Sequence, residues 1–216
     1  MSEGHALRSQ RERGVRSTLL WLVAFICIIL GLFLHNFLNP GLPGDDRLRE
    51  LGFFHHPEYR AVSTFELLDN EGTSVDEKIF QGRWTLVFFG FTYCPDICPT
   101  TMGVLARAVT KIPEPPAVIL VSVDPERDTT ASIDAYVGSF DPAFRGLTGE
   151  FDQIVALASQ LNVAFGKVPG PDPEGYLVDH SASIAVINPE GQYVGFIKAP
   201  HAELNIATLM GYLMRG

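Results

Sequence analysis

Basic charge is in short supply in this 216-residue chain, where 16 Lys and Arg face 25 Asp and Glu for a formal net charge of -9. Four of the arginines lie within the first 17 residues, against two glutamates, so the bulk of the chain is more acidic still. A domain of that charge repels a phosphate backbone, which excludes nucleic acid as its partner. Internal repeats and low-complexity tracts are also lacking, and the length suits one domain of ordinary size with a real core. Cysteine is scarce, with three in all. Cys27 falls inside an apolar run and reads as a small filler, which leaves Cys94 and Cys98 as one close pair.

That pair closes the most distinctive stretch of the chain, Trp84 to Met102, WTLVFFGFTYCPDICPTTM. The run from Trp84 to Phe91 is β-branched and aromatic, uncharged and unbroken, which suits a strand buried on both faces. Pro95 and Pro99 then punctuate the chain, and Met102, Leu105, Ala106 and Val109 have helical spacing. The two thiols therefore sit on the turn and first helical positions after a central strand. Backbone N–H groups at a helix N-terminus favour the thiolate form. With three residues between them, both sulfurs can point to one side, to close a disulfide or to clamp one ion. Two packed thiols or a structural disulfide is the plain alternative; the C-terminal end of a central strand, where open α/β sheets bind ligands, favours function.

Residues 19–34, LLWLVAFICIILGLFL, are uncharged and apolar. With their flanks they reach about 20 residues, enough to span a bilayer. Arginine precedes this segment and acid follows it, so the positive-inside rule keeps residues 1–17 in the cytoplasm and sends the following domain outward. A cleaved signal peptide is the rival, but no A-x-A-like site follows, so an uncleaved anchor is the preferred reading. The expected division is a cytoplasmic tail over 1–17, a transmembrane anchor over 18–38, a linker over 39–59 and a globular domain over 60–216. Asn39 to Asp46, NPGLPGDD, has linker composition. His55 and His56 follow it; two adjacent histidines can bind metal, but an interfacial or linker role is preferred because nothing nearby completes a site.

Val62 to Val75 predicts a hairpin turning at Asn70-Glu71-Gly72. Ala117 to Val123 predicts a second buried strand, followed by Asp124-Pro125-Glu126-Arg127-Asp128 and a helix capped by Thr129 or Thr130 and running to Phe140. Asp128 reads as an ordinary helix-start acid. Asp124 ends its strand on the same sheet edge as the thiols, where it can orient or coordinate something. A helix is expected over 150–163, a Gly/Pro-rich loop over 165–177, a strand over 182–188, a hairpin turn at 189–192 into a strand over 193–197, and an amphipathic helix over 202–214. The order of elements is α/β. If the strand after His180 lies beside the thiol strand, its imidazole hangs over the cysteine loop. Two thiolates and an imidazole suit Cu(I), hold Cu(II) with a further ligand, and leave zinc short of its usual four protein ligands.

FGFTYCPDICPTTM, VSVDPERDT, the LTG of Leu147 to Gly149 and VDHSASIAVINPEG together resemble the Sco/SenC family of copper-binding thioredoxin-like proteins, over residues 60–214. The resemblance implies a thioredoxin-like α/β fold with an N-terminal β-hairpin, preceded by one transmembrane helix. It also implies copper, as Cu(I) or Cu(II), bound by Cys94, Cys98 and His180, with Asp124 as an auxiliary strand-end acid and Cys94–Cys98 as a redox disulfide. The implied role is metallochaperone in assembly of the dinuclear copper centre of cytochrome c oxidase subunit II, with a copper donor protein and a thiol reductant as further partners. The implied location is the inner membrane, single-pass, with the C-terminal domain in the periplasm. A thiol-disulfide reductase acting on the oxidase cysteines is the alternative, with Cys94 attacking and Cys98 resolving; a carrier, by contrast, is no turnover enzyme. The C-x-x-x-C spacing and the lack of proline between Asp179 and Asn188 set the chain apart from true thioredoxins. No basic residue in the loop from Gly90 to Thr101 activates a peroxidatic thiol. A purely structural membrane module, indifferent to both cysteines, is the third alternative.

Overall fold

The apolar N-terminal segment is helical along its whole length. In the computed structural model, which describes residues 3–38, 43–169 and 176–215, α1 runs Glu3–Leu38. Within it Arg16–His35, 20 residues with mean hydropathy 2.6 and none of them buried, is long and apolar enough to cross a membrane. Its stretch 19–34, apolar on every face, gains nothing from water and everything from hydrocarbon, because the helix satisfies its own backbone.

Pro43–Met214 form a separate compact unit. Its elements in order are α2 (Asp45–Glu50), β1 (Phe53–Ala61), β2 (Leu67–Asp69), β3 (Ser74–Val75), a 3-10 turn, β4 (Thr85–Gly90), α3 (Ile97–Val109), β5 (Ala117–Ser122), α4 (Thr130–Gly138), β6 (Arg145–Thr148), α5 (Phe151–Gln160), β7 (Phe165–Pro169), β8 (Tyr176–His180), β9 (Ile184–Ile187), β10 (Gln192–Ile197) and α6 (Glu203–Leu213). Eight strands make one mixed sheet in the order β1-β10-β9-β4-β5-β6-β2-β3, and β7 with β8 makes a second, two-stranded sheet.

The continuous apolar run becomes the centre of the large sheet. All six residues of β4 are buried, and the strand pairs in parallel with β5 on one side and antiparallel with β9 on the other. Both rows of its backbone groups are thus satisfied inside the core, where an unpaired one is costly. Burying Leu86, Val87, Phe88 and Phe89, all fully inaccessible, contributes roughly 1.5–3 kcal/mol per side chain. Helix α4 packs on β6 closely enough that a Cβ at Gly146 would lie 1.8 Å from Ile133 Cγ2. Thr129 caps α4 by accepting from Ser132 N–H, as the sequence suggests.

The hairpin of β2 and β3 forms where expected, its turn held by Asp69, whose Oδ1 accepts from the N–H groups of Glu71 and Thr73. Two other stretches are more ordered than their composition suggests. Of the 39–59 stretch read as linker, 39–42 lie outside the described residues, while α2 and β1 belong to the compact unit. β1 pairs only with β10, at the sheet edge, so the missing N–H of Pro57 removes no necessary bond. The 165–177 stretch read as loop supplies β7 and the start of β8, antiparallel over Phe165–Pro169 and Tyr176–His180; its residues 170–175 lie outside the description. Here strand pairing to a neighbour, invisible in local composition, overrides Gly and Pro content.

Candidate metal centre

The thiol loop, residues 91–96, leaves the C-terminal end of β4 and enters α3. Cys98 lies in the first turn of α3 and is completely buried, whereas Cys94 is half-buried; both are free thiols. The Cys98 backbone N–H donates to Cys94 Sγ at 3.4 Å, so the first sulfur takes up one of the unpaired donors at the helix start. Because β9 lies beside β4 with Ile184 opposite Phe88, the chain just before β9 passes over the loop. His180 Nε2 reaches Cys98 Sγ at 3.3 Å. One donor atom each from Cys94, Cys98 and His180 lie within 4.8 Å of one another, the one such cluster of three among the described residues.

Protonation follows from the neighbours. His180 Nδ1 lies 3.2 Å from the Ser181 carbonyl oxygen, an acceptor only, so the proton sits on Nδ1 and Nε2 keeps its lone pair. Burial pushes the imidazole pKa down, with the Ser181 carbonyl and Asp179 opposing it less strongly. Burial first, and the neighbouring Cys94 thiol second, push Cys98 well above the ordinary thiol range. The expected thiolate preference at the helix start does not hold for Cys98, because desolvation outweighs the helix dipole. Cys98 and His180 thus stand uncharged together, with Cys98 S–H directed at the free Nε2. The rings of Phe88 and Phe91 meet the imidazole edge-on, with centroids at 5.7 and 6.0 Å, and fix its plane.

Several residues shape this centre without having stood out in the sequence. A Cβ on Gly90 would lie 3.0 Å from Cys98 Sγ and 3.1 Å from the Phe88 ring, so the bare backbone at the strand end is what lets the sulfur tuck in. A glycine inside an apolar strand pattern is a usable sign of close approach. Asp128, read as a helix-start acid, caps nothing. It is buried and accepts from Thr92 N–H at 3.1 Å, from Thr92 Oγ1–H and from Ser122 Oγ–H at 2.6 Å. Its carboxyl group thereby ties the thiol loop to the end of β5, while Thr129 does the capping. Asp124 is also fully buried, accepting from Arg127 Nε–H and from Tyr176 O–H at 2.7 Å. It lies outside the three-atom cluster.

The adjacent histidines of β1 do not converge. His55 Nε2 lies 3.1 Å from Tyr59 Oη, whereas the His56 ring stands against Tyr193 and its Nδ1 donates to Glu58 O. Successive residues of a strand face opposite sides, so the pair forms no shared site, and its place is in the sheet rather than a linker. His201, unremarked in the sequence, donates Nε2–H to Ala182 O at 2.6 Å and flanks the chain leading into β9.

Residues 55–213 match the SCO1/SenC family model. The chain is 41% identical over 141 residues to the mitochondrial SCO1 homolog 1 of Arabidopsis thaliana, a match covering 63% of this chain and 42% of that protein. It is 38% identical over 137 residues to the mitochondrial SCO2 homolog of Mus musculus, covering 61% of this chain and 54% of the relative. The chain thus spans about half the length of these relatives. The copper-bound ScoI structure of Arabidopsis thaliana superposes with a TM-score of 0.65 at 36% identity, over 72% of this chain and 98% of that one. The thioredoxin-like α/β architecture expected from the motifs is the one observed, and by motif, fold and extent of match the chain belongs to the SCO1/SenC family.

Proposed function

We propose that this protein is a membrane-anchored copper carrier for assembly of the dinuclear copper centre in cytochrome c oxidase subunit II, with Cys94, Cys98 and His180 as ligands of the cargo. The observation that carries this reading is the donor set: two sulfurs and an imidazole nitrogen with a free lone pair, within 4.8 Å of one another. Soft sulfur with borderline nitrogen matches copper, and three donors leave one side open to the acceptor's incoming ligands. Burial of Cys98 and His180 keeps those two groups uncharged, so loading expels the Cys98 proton and couples binding to pH. The relatives point the same way, since a homologue of 36% identity is a copper-bound ScoI. Copper moves by ligand exchange, and no bond in a substrate is broken.

In the same reading α1 anchors the chain, residues 1–17 face the cytoplasm, and the unit from Pro43 stands in the periplasm of an inner membrane, because the arginines lie before the apolar segment. A donor protein supplies copper, and a thiol reductant keeps Cys94 and Cys98 reduced. The half-buried Cys94, the more accessible sulfur, favours a second reading in which the pair reduces the cysteines of the oxidase subunit, Cys94 attacking and Cys98 resolving.

Titration of the reduced, detergent-solubilised chain with Cu(I) against a chromophoric chelator tests the first reading. Cys98→Ser should weaken binding more than roughly hundredfold, since a hydroxyl is a poor donor to a soft ion. His180→Ala should weaken it less, while leaving the disulfide able to form. Unchanged affinity in both variants overturns the carrier, and oxidase assembly that depends on Cys94 but not on His180 favours the reductant.

A further inference from the structure

The two sulfurs and the imidazole come from parts of the molecule held in different ways. The hairpin of β7 and β8 that ends at His180 pairs with no strand of the large sheet. At its base, Ser181 N–H donates to Ala164 O. Val178 is buried in the core and Phe165 meets Phe151 edge-on, while the polar anchorage of the arm is a set of side-chain contacts centred on Arg127. The guanidinium donates Nε–H to the buried Asp124 carboxylate and Nη1–H to the Tyr176 carbonyl at 3.4 Å, and lies 4.0 Å from the Tyr176 ring centroid. The Tyr176 hydroxyl in turn donates to Asp124 at 2.7 Å. The same guanidinium lies 5.3 Å from the Tyr93 ring centroid and 5.9 Å from that of Phe91, both in the thiol loop. Arg127 Nη2 is buried with no hydrogen-bond acceptor among the described residues, which leaves aromatic faces as its surroundings. The outer contact of the hairpin, Lys167 Nζ to Glu126 at 2.7 Å, joins two largely exposed groups and adds little.

We propose that Arg127, with Asp124 and Tyr176, is a latch that holds the β7–β8 arm closed over the thiol loop, so that Arg127 is a positioning residue for His180. The role rests on the reading of His180 as a copper ligand, and it gives Asp124 an orienting function instead of a place at the metal. With the latch closed, one cation touches the β5 end, the thiol loop and the arm together. With Arg127 removed, the arm keeps its own strand pairing and the one Tyr176–Asp124 hydrogen bond but loses the cation that joins it to the thiol loop, and His180 is held less firmly against Cys98; with the Tyr176 hydroxyl removed, the Arg127 contacts stay and only that one bond is lost. Cys94 and Cys98 stay where β4 and α3 put them.

The test is a double-mutant cycle on the reduced full chain in detergent, with Cu(I) alone as the probe in chelator competition. Arg127→Gln should weaken binding roughly tenfold in the otherwise native chain and by less than about twofold in a His180→Ala background, since the latch acts through the imidazole. The same loss in both backgrounds, or none in the native one, overturns the proposal. Tyr176→Phe, which deletes one oxygen, repeats the cycle with a smaller loss and serves if Arg127→Gln does not accumulate. A copper-free readout accompanies it. Amide hydrogen exchange should quicken at residues 176–180 in either variant, while β4 and α3 keep their protection. Unchanged exchange in the arm overturns the latch even if copper binds elsewhere, whereas native copper affinity in both Cys98→Ser and His180→Ala overturns the carrier reading, not the latch.

Discussion

Strand β4 and the arm of β7 and β8 both bring side chains to the Cys94–Cys98–His180 cluster, yet they are built on opposite terms. β4 is buried along its whole length and hydrogen-bonded on both sides; the arm pairs only with itself, and β7 is largely exposed. The sulfurs follow from the first region with almost no freedom, because Gly90 ends the strand and α3 begins a few residues on. The imidazole follows from the second, through side-chain contacts each worth a kcal/mol or so. On the carrier reading, a centre divided in this way would hold two donors on the core and a third on a part with fewer backbone ties, which would suit cargo that must be both kept and surrendered.

The contrast breaks most visibly in stability. Phe88→Ala empties a fully buried position in β4 and should cost about 3–5 kcal/mol, read as a fall in the midpoint of denaturant unfolding of the Pro43–Met214 unit. Tyr176→Phe, in the arm, should shift the same midpoint by no more than about 1 kcal/mol. Equal shifts would show the arm to be as integral to the core as β4.

The two regions also differ in how far the sequence discloses them. Trp84 to Phe91 declares its strand by composition, and the cysteines, the turn prolines and the helical spacing after Thr100 place both thiols correctly. His180 is legible only conditionally, because its nearness to Cys98 depends on β9 lying beside β4, a pairing no local pattern encodes. The β7–β8 strands are hidden by Gly and Pro, and β1 by Pro57, whose cost vanishes at a sheet edge. In the sequence Asp124 stands out from Asp128 only by ending its strand, since both are acids in one loop. The structure parts them: Asp128 turns to Thr92 and Ser122, Asp124 to Arg127 and Tyr176, and only the fold shows which neighbour each meets. Within VSVDPERDT, one of the stretches that carry the family resemblance, DPERD marks the place of this loop without stating its work.

Gly90 sharpens the comparison at the junction between strand and loop. An added methyl would sit 3.0 Å from Cys98 Sγ and 3.2 Å from Leu120 Cδ1, and neither neighbour has open space to move into. Gly90→Ala should cost about 1–3 kcal/mol, as overpacking does in a tight core, and should displace the sulfur from Nε2. The expected signature is lower copper affinity in proportion to the lost stability, measured by chelator competition and by thermal unfolding on one preparation. A variant of native stability and native affinity would mean that the strand end has slack which the packing denies.

The effect that reports on the protonation of Cys98 and His180 themselves is the pH dependence of copper binding. Burial raises the Cys98 pKa and lowers that of His180, so near neutrality both groups are uncharged, and the proton between Sγ and Nε2 belongs to sulfur. Copper needs that sulfur as thiolate, so loading releases at least the Cys98 proton, and affinity should rise with pH by about one log unit per unit or more between roughly pH 6.5 and 8.5. The imidazole adds no proton competition in that window, because its folded pKa lies below its ordinary value; its contribution to the slope begins only on the acid side. The empty fold obeys the same signs. His180 binds fewer protons folded than unfolded, so its share of stability is present above about pH 6.5 and is lost as pH falls through the folded value. Cys98 binds more protons folded than unfolded, so its share is present below about pH 8.5 and is lost as pH rises. Chelator competition at a series of pH values, with chelator protonation accounted for, gives the slope directly. An affinity independent of pH would mean that Cys98 is already ionised in the empty protein, and that the helix start, against the burial of its sulfur, sets its charge.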